Sequence, residues 1–155
     1  MGESARILVV DDDESIRKVL ATILEEEGYT VDTSKNGKEA ITKSRKNFYN
    51  LALIDIRLPD MEGTRLLATV KDTTPRMRKI IITGYPSVQN AIEALNRGAD
   101  AYVLKPFDME KVIETIKKQL KEQKDEKKYS QERVTEFIET RIKELEEEKP
   151  LSHKK

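Results

Sequence analysis

Cysteine is absent from the 155 residues, and histidine occurs once, at position 153. The first absence excludes disulfides, thiolate catalysis and cysteine metal ligation; the second leaves little basis for imidazole catalysis or a zinc site. No apolar run exceeds four residues, far short of the roughly 18–20 needed to cross a bilayer, so no membrane embedding is expected. Neither sign of charge dominates: 29 Lys and Arg face 29 Asp and Glu, which gives no general electrostatic pull on nucleic acid. There is no internal repeat, no Gly/Ser-rich or Pro-rich linker, and no GxGxxG or Walker loop. The opening MGESARILVV lacks a basic stretch followed by an apolar core, so no secretory leader is expected. A small soluble protein with a cytoplasmic localisation is the expectation. Its length is about one domain's worth, and a hydrophobic content of 37% suffices for one modest core.

Charge is unevenly spread. Residues 117–149 hold 20 charged positions in 33, against 36 in the first 116. That shift separates a globular body, placed at 1–120, from a charged helical tail at 121–155.

The body alternates short apolar runs with amphipathic stretches. Ile7–Val10 and Leu51–Ile54 are continuous apolar runs suited to strands buried on both faces. Thr30–Ser34, Ile80–Ile82 and Ala101–Leu104 supply three more strands. Between them lie helical stripes. Ile16, Val19, Leu20, Ile23 and Leu24 form the first, closed by Gly28. Weaker ones follow at 37–46, 63–71 and 87–97, the last closed by Gly98. Val112, Ile113, Ile116 and Leu120 begin the fifth helix. Alternating strands and helices predict an α/β fold, an open doubly wound five-stranded parallel sheet in (βα)5 order. An eight-fold barrel needs about 250 residues and is excluded.

In such a sheet, ligands bind beyond the carboxyl ends of the strands. Those ends carry Asp11-Asp12-Asp13, Asp55, Thr83-Gly84 and Lys105-Pro106. Two carboxylates about 5 Å apart repel by roughly 3 kcal/mol at an effective dielectric near 20. A hard divalent cation relieves this, and a carboxylate, carbonyl and water shell suits Mg²⁺. Lys105 adds a cation and Thr83 a donor. The set reads as a phosphoryl-binding site with Asp55 as carboxylate nucleophile.

Four segments, in order, resemble the receiver domain of two-component response regulators over about residues 1–120. They are ILVVDDDESIR, LALIDIRLPDMEG, IIITG and GADAYVLKPF. The resemblance implies a flavodoxin-like fold with strand order 2-1-3-4-5. It implies Asp55 as phosphoacceptor, and Mg²⁺ (or Mn²⁺) held by Asp12, Asp55 and the Arg57 backbone carbonyl, with Asp11 acting through water. Thr83 and Lys105 would bind the phosphoryl group, Tyr102 would follow Thr83, and the peptide before Pro106 would be cis. Asp13 falls beyond the acid pair, at the helix start. Thr64 departs from the larger apolar residue usual there. A histidine kinase or phosphotransfer protein would donate the phosphoryl group. An unknown downstream protein would read the switched surface around 84–107. Arg57 and Tyr85 would tune hydrolysis of the acyl phosphate. On this reading the chain is not an enzyme but a phosphoacceptor that assists its own reactions, with no direct nucleic-acid or membrane partner.

Each motif has a plainer reading. Asp11–Asp13 alone is an acidic helix start, Asp55 alone a turn former, Tyr102 a half-buried aromatic, Lys105-Pro106 a turn. Their convergence is what favours the site. Two other functions remain open at the level of sequence. A Mg²⁺-dependent phosphohydrolase would use the same nucleophile, although position 57 is Arg where such enzymes usually carry a second Asp. A constitutive scaffold would use only the tail. Val134, Phe137, Ile138, Ile142 and Leu145 recur there at three- and four-residue spacing, which allows a coiled coil, a linker, or a homodimer through 134–145 or the 84–107 surface. Residues 109–149 are either one helix, about 60 Å long, or two broken near Ser130. Pro150 is expected to end it, with LSHKK a frayed terminus.

Overall fold

The computed structural model describes residues 4–70, 73, 75–84 and 87–152. The chain divides after Lys121 into two compact units. The first contains a single five-stranded sheet, β1 (Arg6–Val10), β2 (Thr30–Ser34), β3 (Leu51–Asp55), β4 (Arg78–Thr83) and β5 (Ala101–Leu104). All pairings are parallel and the order is β2-β1-β3-β4-β5. The connecting helices are α1 (Glu14–Glu26), α2 (Gly37–Lys46), α3 (Gly63–Thr69) and α4 (Val88–Asn96), with α5 (Met109–Ser152) following β5. This is the flavodoxin-like (βα)5 architecture expected from the sequence.

Alternation along the strands sorts the core. Leu8, Val10, Ala52, Ile54 and Ile81 pack with Ala40, Leu66, Leu67 and Ala94, from α2, α3 and α4. Ile7, Val9, Leu51, Leu53, Ile80 and Ile82 pack with Leu20, Leu24, Val112 and Ile116, from α1 and α5. Successive side chains of a strand face opposite ways, so each central strand needs apolar residues at every position. That is why β1 and β3 read as continuous apolar runs. Gly28 and Gly98, just after α1 and α4, both adopt positive φ, a conformation that costs glycine little.

Several boundaries differ from expectation by a residue or two, and three of the differences bear on packing. The third helix ends at Thr69 rather than 71, because Val70 turns extended (ψ 133°) and buries its side chain. β4 starts two residues early at Arg78, because Arg78 and Lys79 are buried despite their charge. Gln119, Asp100 and the Leu67 carbonyl receive them. α5 is continuous through Ser130 and Pro150 to Ser152; the fixed φ of proline is helical, and so near the helix end the ring forfeits one amide donor without stopping the chain at once.

In the second unit, the tail residues Tyr129, Val134, Phe137, Ile138, Ile142 and Leu145 are all exposed. Thr64 is buried at the start of α3.

Candidate functional site

Parallel register brings the chemistry to one edge. Val10 pairs with Ile54, Asp55 with Ile82, and Thr83 with Leu104. Asp11 follows β1, Asp55 ends β3, Thr83 ends β4 and Lys105 follows β5. Asp11, Asp12 and Asp55 each offer a carboxylate oxygen within 4.8 Å of the others. Asp11 and Asp55 are buried, whereas Asp12 is exposed.

Lys105 joins the acids. Its Nζ donates to Asp11 Oδ2 at 2.9 Å and to Asp55 Oδ2 at 3.3 Å. The other Asp11 oxygen accepts the Asp13 amide at 2.9 Å, and Asp55 Oδ1 accepts the Arg57 amide at 3.3 Å. The Lys105 backbone amide donates to the Thr83 carbonyl at 2.7 Å. Thr83 is fully buried. The Lys105–Pro106 peptide is cis. Tyr102 is partly buried in β5, where burial raises its phenol above the usual value. Asp13 caps α1, accepting the Ile16 amide at 3.2 Å. The Arg57 side chain is exposed, and Tyr85 lies outside the described residues.

The electrostatics are unbalanced. Burial and then the neighbouring Asp11 push the Asp55 carboxyl above the usual carboxylate range, against the pull of Lys105 and the Arg57 amide. Burial opposes the charge on Lys105, but Asp11 and Asp55 outweigh it and raise its proton affinity. One ammonium shared between two buried acids, and closer to Asp11, does not satisfy Asp55. An all-oxygen donor set with surplus negative charge fits a hard divalent cation.

Arg17 is not among the expected site residues, yet it serves the site. From the first turn of α1, its Nη1 donates to the Asp11 carbonyl at 2.7 Å and braces the acidic loop. Only its position six residues after Asp11, on the inward side of an amphipathic helix, could have hinted at this.

Residues 7–117 match the family model described as the response regulator receiver domain. The chain belongs to that family. It is 40% identical over 119 residues to the transcriptional regulatory protein ZraR of Klebsiella oxytoca, covering 77% of this chain and 27% of that one. It thus spans about a quarter of that relative. Among solved structures, a CheY-like response regulator receiver domain protein from Methanospirillum hungatei JF-1 is similar with TM-score 0.77 and 47% identity. That match covers 80% of this chain and 99% of the other. The beryllofluoride-activated NtrC4 receiver domain dimer is similar with TM-score 0.71 and 41% identity, over 76% and 98% of the two chains. No described helix is long and apolar enough to cross a membrane.

Proposed function

We propose that this chain accepts a phosphoryl group on Asp55 from the phosphohistidine of a kinase or phosphotransfer protein. The observation that carries the reading is the Lys105 bridge, 2.9 Å to Asp11 and 3.3 Å to Asp55, inside a group of three acids. Asp11, Asp12, Asp55 and the Arg57 carbonyl would hold Mg²⁺ (or Mn²⁺), which when bound offsets negative charge on the acids and on phosphoryl oxygens.

The chain's own residues do the rest. An Asp55 carboxylate oxygen attacks phosphorus and the P–N bond to the donor histidine breaks, leaving an acyl phosphate. Lys105, already poised between the two acids, pairs with the transferred group. Thr83, at the end of β4, supplies a hydroxyl to a phosphoryl oxygen, and Tyr102 follows its movement. Arg57 and Tyr85 tune the attack of water that ends the state. The output is a changed surface around 84–107, where Ile92, Leu95 and Leu104 are exposed, read by a downstream protein. The apolar tail face at 134–145 offers a second copy of the chain a partner surface. The receiver at 1–120 and the tail at 121–155 are assigned as separate domains.

Incubation of the chain with acetyl phosphate and Mg²⁺ tests this. Mass spectrometry should show one phosphoryl group per chain, on Asp55. Steady phosphate release without a stoichiometric adduct would instead favour a phosphohydrolase.

A further inference from the structure

Asp60 lies in the loop between β3 and α3, outside the group formed by Asp11, Asp12 and Asp55. Its carboxylate is spent elsewhere. The first amides of a helix have no intrahelical acceptor. At α2, the Asn36 side chain accepts the Glu39 amide, at 2.8 Å, and its carbonyl the Ala40 amide, at 3.2 Å. The other two are taken by Asp60: Oδ1 accepts the Gly37 amide at 2.9 Å and Oδ2 the Lys38 amide at 2.9 Å. Met61 closes over the same spot, and a Cβ at Gly37 would overlap its side chain. An anion at a helix N-terminus is favoured, and the Gly37 amide above all holds the Asp60 carboxyl below the usual range.

The same loop is anchored at its other end. The Gly63 amide donates to the Ile56 carbonyl at 2.6 Å, and a Cβ at Gly63 would collide with the Asp55 carbonyl. Between the anchors, the Leu58 amide donates to the Met61 carbonyl at 3.2 Å, and the backbones of Arg57 and Glu62 pair antiparallel. Residues 56–63 are thus held against Asp55 at one end and against α2 at the other. The Arg57 peptide lies inside that closed stretch.

We propose that Asp60 is a positioning residue for the Asp55 site: by gripping the Gly37 and Lys38 amides of α2 it fixes the loop that carries the Arg57 carbonyl, and so sets the cation affinity of that site from outside its group of acids. This rests on the reading of Asp11, Asp12, Asp55 and Arg57 as a cation site. Groups that orient metal ligands from outside the coordination shell typically change affinity by about 10–100-fold when removed.

The test uses the full chain and Mg²⁺ alone as probe, with the dissociation constant read from amide chemical shifts and thermal unfolding recorded on the same samples. Asp60→Ala should bind Mg²⁺ about 10-fold more weakly. Its phosphoryl uptake from acetyl phosphate should be slow at low Mg²⁺ and recover at saturating Mg²⁺. Asp60→Asn keeps one acceptor oxygen and should bind more weakly than the parent, by less than the roughly 10-fold loss of the alanine variant; it carries the test if the alanine variant does not fold. Parental Mg²⁺ affinity in the folded variants, whatever their melting temperature, overturns the inference alone. A parent chain that neither binds Mg²⁺ nor takes a phosphoryl group overturns the site reading and this inference with it.

Discussion

Asp32 and Asp55 belong to the same sheet, two strands apart, and behave as opposites. Asp32, in the middle of β2, accepts the Tyr49 hydroxyl at 2.6 Å and an Arg6 guanidinium nitrogen at 3.0 Å. Arg6 also lies over the Tyr49 ring, 5.4 Å from its centroid. Burial works against the charge on Asp32, but Tyr49 and Arg6 prevail and hold it below the usual carboxylate range. Tyr49 pays in turn, its phenol driven well above the ordinary value by burial and by Asp32. Asp55 receives one weak amide contact and a share of one lysine, beside a second buried acid, and its proton affinity rises. An acid whose charge is fully met by donors of its own chain is a structural fastener. An acid left short of positive charge is ready for a ligand that brings it.

The largest expected effect lies on the Asp55 side. Asp55→Asn should abolish the stoichiometric phosphoryl adduct while leaving the fold intact by circular dichroism; an undiminished adduct would remove the functional half of the contrast. Next, Lys105→Ala should destabilise the chain by about 2 kcal/mol without Mg²⁺, because two buried acids lose their shared cation. Urea unfolding should show part of that loss restored by Mg²⁺.

On the Asp32 side, Tyr49→Phe removes a hydrogen bond to a charged group and should cost about 1.5 kcal/mol, with no change in Mg²⁺ affinity. Asp55→Asn should then stabilise the cation-free chain by about 1 kcal/mol, since it relieves a repulsion only partly offset by Lys105. Differential scanning calorimetry would read that as a rise of about 4 °C.

The smallest effect is in pH dependence. A depressed acid contributes stability that is present above its unfolded value, near 3.8 for Asp32, and is lost as pH falls through its lower folded value. Asp32→Asn should therefore flatten the acid limb of the stability curve below about pH 4. Asp55 has the opposite sign. Its raised value makes stability fall as pH rises above 3.8, so Asp55→Asn should remove a decline rather than a gain.

Much of this was legible in the chain. Ile7–Val10 and Leu51–Ile54 announce strands covered on both faces, and the residues that follow them are the acids of the site. Gly28 and Gly98 mark two helix ends correctly. The features not legible there share one cause: partners distant in sequence. Arg78 and Lys79 do not look like strand residues until Gln119, Asp100 and the Leu67 carbonyl stand beside them. Arg17 and Asp60 look like ordinary surface charges until Asp11 and the start of α2 come within reach. Tyr49 belongs to no periodic stripe, yet it is fully buried and donates to Asp32.

Periodicity and strand-end chemistry, set by neighbours a few residues apart, determined the alternating architecture and which edge of the sheet carries the acids. Folding decided the proton affinities and the clamps. Lys105 meets Asp11 across 94 positions and Asp55 across 50. Asp60 meets Gly37 across 23. Coulombic and hydrogen-bond energies depend on distance and burial in space, and neither quantity exists along the chain until the sheet has closed.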